Sequence, residues 1–544
     1  MRKIAFAAAA VLLTGAAPAA AQTFPTDDPV IRRMWQLGMV ESQAGKLAQA
    51  LLDSIGPRLV GSPQMKAAND WAVKMFTGWG ITARNEQYGT WTGWNRGTTH
   101  VDLIAPRVRS LEGTMLAWSP GTGGRPVEGP VAILPEVANA VAFDAWLPQA
   151  RGKFIAVDFA QPTCRPDRQW EEFGMPGSGG RGGFGPPGGQ QGGNPGSFER
   201  MRQARSAALA AFRQRIVNAG FANNGQPNVA QLRLRLEGAG ALGILHSNWS
   251  NDYGVQKVFS TNTTRIPTLD LSCEDYGLLF RLAENGQGPR VRVTAEAQSQ
   301  GVVPAFNTIA EIRGSQLPNE YIVLSAHYDS WDSSSGATDN GTGSITMMEA
   351  MRILKAAYPN PKRTILAGLW GSEEQGLNGS RAFVKDHPEI VDNIQAVFNQ
   401  DNGTGRVISI GMQGLTGAAA HFGNWLSRIP QEITGFITLG IPGSPGGGGS
   451  DYASFICAGA PAFSLGALNW GYSVYTWHTN RDTYDKVVMD DLKNNATLTA
   501  MLAYLASEDP ARVSRERRAM PVDPRTGQPQ PWPQCRDGAR TAGG

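Results

Sequence analysis

Apolar residues recur near helical spacing at Ile31, Met34, Leu37, Val40, Leu47 and Leu51, which predicts a helix over residues 28–54. The stretch IGPRLVGSP at 55–63 breaks it, and a second helical run covers 65–79 before Gly80. Short strand patterns follow in ITARNEQY and HVDLIAP. From about residue 111 to 301 the texture changes. TMLAWSP, GPVAILP and GKFIAVDF read as short strands, LEGAGALGILHSN as a helix end entering a buried strand, and IPTLDLSCEDYGLLFRLAENG as a strand followed by a helix. RVRVTAEAQSQ alternates as an exposed strand does. This stretch is expected to be a mixed, β-rich unit of its own. Within it, residues 177–197 carry glycine at a density that excludes a packed core, which predicts a flexible loop ahead of an arginine-rich surface helix over 198–219.

From Pro304 strands and helices alternate. NTIAEIRG, YIVLSAH, RTILAGLWG, IQAVFNQD and PAFSLGA read as strands, with helices over 344–357, 379–386, 416–428 and 490–506. This alternation predicts an α/β sandwich, in which functional side chains gather at the C-terminal ends of strands. The tail beyond about residue 508 is rich in Pro, Arg and Gly and is expected to be loosely ordered.

At 544 residues the chain exceeds one ordinary domain, and its 41% hydrophobic and 17% charged content fits a folded globular protein. A net charge of +3 argues against nucleic acid or acidic membranes as partners, and a single RGG in the glycine-rich loop does not make an RNA-binding tract. The opening MRKIAFAAAAVLLTGAAPAAAQ has a basic start, a short apolar run and an A-x-A site before Gln22. It predicts a secretory signal peptide over residues 1–21, a mature start at Gln22, and a periplasmic or secreted protein with no membrane insertion after cleavage. Cys164, Cys273, Cys457 and Cys535 have no zinc-site spacing; pairing in an oxidising compartment and buried free thiols both remain open.

The chemistry concentrates after YIVL, in SAHYDSWDSSSGATDNGTG. His327 and Asp329 lie two apart at a strand end, so their side chains share a direction. Asp339 follows in a glycine-containing loop, Glu373 and Glu374 end the next strand, Asp401 ends a third, and His478 comes late in YTWHTNRDTYD. Each alone reads as a surface acid, a helix cap or an ordinary histidine. Together, two imidazoles and several carboxylates at strand ends suit zinc, and a shared carboxylate suits a pair of metal ions.

The order H-x-D, GATDNGTG, EE, strand-end D and H-T-x-x-D-T resembles the M28 family of zinc metallopeptidases. IGPRLVGSP, NTIAEIRGSQLPNEYIVLSAH and GSDYASF at 449–455 resemble it too, and the likeness covers about 55–80 and 304–506. The resemblance implies a mixed-sheet α/β/α zinc-exopeptidase domain in two parts, 22–110 and 302–507, and an insert at 111–301 similar to a protease-associated (PA) domain. It implies two zinc ions: His327, Asp339 and Asp401 on one, Asp339, Glu374 and His478 on the other, with Asp339 bridging. Glu373 would be the general base, Asp329 would orient His327 from behind, and Asp451 would support the site or touch substrate. The implied activity on peptide substrates is an aminopeptidase first, with a carboxypeptidase or dipeptidase as the alternative, for which Arg381 or Arg481 would supply a cation. An inactive peptide-binding protein is the remaining alternative.

Overall fold

The computed structural model describes residues 26–173 and 197–542; the expected signal peptide, its cleavage site and residues 177–196 of the glycine-rich loop lie outside them. The strands of the main sheet are β1 (Thr82–Ala105), β2 (Arg109–Leu111), β3 (Gly113–Met115), β4 (Val127–Ile133), β5 (Phe154–Ala156), β6 (Gly243–His246), β7 (Thr268–Leu271), β8 (Arg290–Ile312), β9 (Leu317–His327), β10 (Arg363–Trp370), β11 (Ile394–Asn399), β12 (Val407–Gly411), β13 (Thr438–Gly440) and β14 (Ala462–Ala467). They join in one mixed 14-stranded sheet, ordered β13-β12-β14-β11-β9-β10-β8-β4-β5-β6-β7-β3, with β1 on β8 and β2 on β1. β10, β9, β11 and β14 run parallel, so their C-terminal ends open on one edge. Their residues are buried in near-continuous apolar runs, as strands covered on both faces require.

β1 and β8 form a single long ribbon, antiparallel from Thr82↔Glu311 to Ala105↔Arg290. The sequence pattern predicts two short strands here, ITARNEQY and HVDLIAP, with nothing assigned to the glycine-containing stretch between them. The structure keeps the pairing through it, with register shifts at Gln87/Gly89, Gly93/Trp94, Arg96/Thr99 and Leu103/Ala105. At Gly93 a Cβ would stand 2.9 Å from both Gln300 Cβ and Val303 Cγ1, so the ribbon closes there only around glycine. One end of β8 pairs with β10 and the other with β4. The ribbon therefore belongs to two cores. The main core gathers the parallel strands and their helices. A second core draws Trp94, Val101 and Leu103 from β1 together with Leu269, Tyr276 and Val291. The β-rich unit thus recruits chain from Trp94 onward, ahead of the break expected at residue 111.

The helix expected over 28–54 is interrupted at 41–43. There the buried Glu349 carboxylate accepts from Ser42 Oγ (2.9 Å) and Gln43 N (2.8 Å), bonds that an unbroken helix could not offer. Later helices follow the pattern closely: α1 (Pro63–Gly78), capped by Ser62, α2 (Cys273–Glu284), α3 (Thr342–Ala357), α4 (Asn378–Asp386) and, after α5 (Tyr452–Cys457), a short helix that the pattern does not predict, α6 (Met489–Glu508). α3 and α6 pack on one another and are almost entirely buried. α4 and α5 meet over Trp370 through Phe383 and Phe455.

The cysteines pair as Cys164–Cys273 and Cys457–Cys535. The second bridge corrects the expectation of a loosely ordered tail. Beyond it, Lys385 pairs with Asp537 (2.9 Å), Ala539 N donates to Asn378 Oδ1 (2.7 Å), Arg540 forks onto Asp386 (2.8 Å for each bond), and Thr90 N donates to Arg540 O (2.8 Å). These point contacts hold a segment that has little apolar content of its own.

Candidate active site

His327 is the last residue of β9, and Asp401 stands just beyond β11, its parallel neighbour. His327 Nε2 lies 3.1 Å from Asp401 Oδ1 and 3.4 Å from Asp339 Oδ1. Asp339 reaches this point from a tight turn at Ala337–Gly341 that leads into α3. Its other oxygen, Oδ2, is 3.3 Å from His478 Nε2, which is itself 2.8 Å from Glu374 Oε2. Two sets of three ligand atoms result, His327/Asp339/Asp401 and Asp339/Glu374/His478, each within 4.8 Å, with Asp339 common to both.

The turn carrying Asp339 is fixed from three sides. The Asp482 carboxylate accepts from Thr338 N (2.8 Å) and Asp339 N (3.0 Å). Asn340 Nδ2 donates to Gln400 O (2.8 Å), joining the turn to the residue before Asp401. The completely buried Arg58 donates to the carbonyls of Gly56, Tyr328, Ser335 and Gly336 at 2.7–3.0 Å, so one guanidinium ties both ends of the 328–336 loop together. Gly336 turns with φ +58°, and at Gly343 a Cβ would meet Gln400 O at 2.6 Å. Glycine is required at these two points because the chain folds back against its own backbone.

Asp329 corrects an expectation. The group on His327 Nδ1 is the Asp329 main-chain carbonyl, at 3.0 Å, while its carboxylate oxygen is 3.8 Å away. The carboxylate instead accepts from Glu373 N (3.0 Å) and Glu374 N (3.3 Å), so it positions the glutamate pair. This follows from geometry: β9 and β10 are adjacent and parallel, and the loop after β10 drops onto the Asp329 side chain.

The loop bearing His478 leans on the β-rich unit. Val258 N donates to His478 O (2.9 Å), Lys257 bridges to Thr479, and Gln256 O accepts from Asn480 N (3.0 Å). Trp477 stacks on the His478 ring at 3.9 Å, with Phe259 at 5.2 Å and Trp331 at 5.8 Å around it. His478 has φ 60°, a left-handed backbone that a non-glycine residue holds only when its surroundings fix it. Arg481, expected as a substrate cation, is turned away: Nη2 donates to Gly254 O (2.9 Å) in that unit. Arg381 lies in the first turns of α4, just after the glutamate pair. Asp451 immediately precedes α5, makes no side-chain capping hydrogen bond to it, and is wholly buried.

Burial holds the His478 imidazole down to about 4, against the pull of Asp339, so it presents a neutral ring with a free lone pair. Burial, reinforced by Asp339, raises Glu374; burial, reinforced by Asp401, raises Glu373 against the opposing His327. At His327 burial works downward, yet Asp401 and Glu373 drive it well up. The acids thus demand a cation, and the histidine answers with a proton. Asp339 Oδ2, Glu374 Oε1 and His478 Nδ1 are buried without a hydrogen-bond partner. Buried polar atoms in that state, set among imidazole and carboxylate donors, fit zinc.

Sequence reasoning assigned no role to Arg58, Asp482 or Phe259. Arg58 and Asp482 lie within the quoted IGPRLVGSP and HTNRDTYD, so their positions were visible; Phe259 gave no signal.

Residues 307–503 match the family described as Peptidase family M28. The chain is similar to carboxypeptidase Q of Bos taurus, 26% identical over 478 residues that cover 87% of this chain and 86% of that protein. Carboxypeptidase Q of Homo sapiens is likewise 26% identical over 480 residues, covering 87% and 86%. Among solved structures, a peptidase M28 precursor from Shewanella amazonensis SB2B superposes with a TM-score of 0.62 at 21% identity, over 89% of this chain and 97% of that one. BSAP, a zinc aminopeptidase from Bacillus subtilis, gives 0.52 at 18%, over 87% and 96%. At these identities the two structures speak for the fold.

Proposed function

We propose, from the premise that the chain belongs to peptidase family M28 and is a zinc-dependent metallopeptidase, that it is an exported di-zinc exopeptidase that removes N-terminal residues from short peptides. The observation that carries this is the sharing of Asp339 between two three-residue ligand sets. His327, Asp339 and Asp401 hold one ion, and Asp339, Glu374 and His478 the other. Bound zinc supplies Lewis acidity, which makes water a nucleophile at neutral pH and polarises a carbonyl. Glu373 takes the proton of the attacking water and returns it to the leaving nitrogen. Its raised pKa suits both halves of that task. Asp329 keeps Glu373 and Glu374 pointing apart by gripping their backbone amides. Asp451, buried and without ligand duty, is the acid available to a substrate ammonium.

The insert is a PA-like unit that frames access and braces His478. Its bridge Cys164–Cys273 and the second bridge Cys457–Cys535 support export, since paired cysteines belong to oxidising compartments. Among the described residues no helix is long and apolar enough to cross a membrane. A second reading, a carboxypeptidase or dipeptidase, is favoured by Arg381 beside the glutamates and by the similarity to carboxypeptidase Q. Purified mature protein should contain about two zinc ions per chain, lose activity to a chelator and regain it with zinc. Peptidase activity undiminished in metal-free protein refutes the proposal.

A further inference from the structure

Glu373 depends on its backbone for its place. Among the described residues its carboxylate makes no hydrogen bond or ion pair, whereas the Glu374 carboxylate is 2.8 Å from His478. The loop that carries both glutamates, residues 371–377, has an unusual backbone. Ser372 and Leu377 stand at φ 61° and 59°, with Gly376 at φ 117° before the leucine. Non-glycine residues keep such angles only where their surroundings fix them. Asp329 grips the loop by the amides of Glu373 and Glu374. Asn378, the first residue of α4, closes it from the other side. Its N donates to Ser372 O (3.0 Å), and its Nδ2 donates to Gln375 O (3.2 Å) and Ser372 Oγ (3.4 Å).

The remaining polar atom of Asn378 belongs to the C-terminal strap, Cys535–Arg540. Ala539 N donates to Asn378 Oδ1 at 2.7 Å. The strap lies so close that a Cβ on Gly538 would stand 2.6 Å from Asn378 O. A second line runs through β1. Arg540 Nη1 donates to Tyr88 O (2.9 Å), and the Tyr88 ring is what a Cβ on Gly371 would meet at 3.2 Å. The strap is anchored away from the loop, by the Cys457–Cys535 bridge, the Lys385–Asp537 pair and the Arg540–Asp386 fork. It thus reaches both ends of the glutamate loop. Among the described residues none of its hydrogen bonds or ion pairs goes to a residue of either ligand set.

We propose that the C-terminal strap is a clamp on the loop of the general base, and that Asn378 is the positioning residue through which it acts. The clamp rests on the assignment of Glu373 as base made above. Asn378 belongs to neither ligand set; it keeps the turn from Ser372 to Leu377 closed, and with it the direction of the Glu373 side chain. The task needs a whole amide. Oδ1 takes the N–H of the strap while Nδ2 gives two bonds to the turn, so aspartate keeps only the first and alanine neither.

The test measures turnover of one tripeptide by zinc-loaded wild type, Gly538→Ala, Asn378→Ala and Asn378→Asp, each also in a Glu373→Gln background. Gly538→Ala presses a methyl group against Asn378 O and lifts the strap while leaving every loop residue as it is. In all three variants kcat should fall about 10- to 100-fold, the scale of displacing a catalytic group by about 1 Å. KM should change little, and zinc should stay at about two ions per chain. With Glu373→Gln already in place the same substitutions should cost less than about twofold, because the group they position is gone. Hydrogen exchange at residues 372–378 should quicken in each variant while α3 and α6 stay protected, which reads the clamp without turnover. Gly538→Ala decides where an Asn378 variant does not fold. Wild-type kcat and exchange in Gly538→Ala, or an equal loss with and without Glu373, overturns the clamp while leaving the exopeptidase in place. Wild-type turnover in Glu373→Gln alone overturns the base assignment, and the clamp with it.

Discussion

Asp482→Asn isolates the support of the shared ligand. The substitution keeps shape but replaces one carboxylate oxygen by an NH2 group. Asp482 accepts from Thr338 N at 2.8 Å and Asp339 N at 3.0 Å, so Asn satisfies one amide and sets a donor against the other. Losing one hydrogen bond to a charged acceptor costs about 1.5–3 kcal/mol. If that cost falls on the zinc-ready position of Asp339, zinc affinity drops roughly 10- to 150-fold at about 1.36 kcal/mol per decade. The scale for losing a partner behind a metal ligand, about 10–100-fold, agrees. The metal-free protein should respond differently. Burial, then the Asp339 charge among others, pushes the Asp482 carboxyl up to about 7, against hydrogen bonds that favour its charged form. Its folded pKa is raised, so at neutral pH its charge opposes folding, and removing it offsets the lost bond. Zinc competition against a chelator should therefore show the drop while the melting temperature of metal-free protein moves by only a few degrees. Wild-type zinc affinity in Asp482→Asn, or a large loss of metal-free stability with affinity intact, would refute the reasoning.

Glu373→Gln should retain zinc while kcat falls by about 10²–10⁴ with KM little changed, whereas Glu374→Gln should lose zinc toward one ion per chain; metal analysis beside steady-state kinetics separates the two. Phe259→Ala removes the ring against His478 and should weaken zinc binding roughly 2- to 10-fold, the worth of one aromatic contact, which a chelator titration reads. His387 and Glu86, 2.8 Å apart, give a pH signature. The Glu86 hydrogen bond raises His387, so that stability is full below about pH 6.5 and fades as pH rises through the raised value. Burial opposes, but His387 and Arg84 lower Glu86, so its share appears above about pH 4.3 and is lost through the lowered value. Glu86→Gln should depress the melting temperature most between these limits and progressively less in alkali, where only the Arg84 contact remains; a pH-independent difference would contradict it.

The site was legible where chemistry follows from residue type at a strand end. His327, Glu373, Glu374 and Asp401 could be placed because YIVLSAH, RTILAGLWG and IQAVFNQD announce buried strands that stop at polar residues. What could not be read depends on partners distant in sequence. Arg58 serves carbonyls some 270 residues away, and nothing local to it says so. The β1–β8 ribbon was hidden because Gly89, Gly93 and Gly97 signal a break in isolation, and only their facing strand shows that bulges carry the pairing onward. The split in the first helix has the same origin, in Glu349. The role of Asp329 was half legible: its direction follows from strand periodicity, but its partners come from the loop after β10.

The strap from Cys535 to Arg540 has a consequence for the order in which the enzyme is made. It is synthesised after every element that it touches: β1 through Thr90, α4 through Asn378 and Asp386, and α5 through Cys457. The ligand sets, all earlier in the chain, do not wait for it. The metal-ligand residues and the strap that spans α4 and α5 are therefore completed at different moments of biosynthesis. A nick just before Cys535 with the bridge reduced would free the strap while every residue of the two ligand sets stays in the chain.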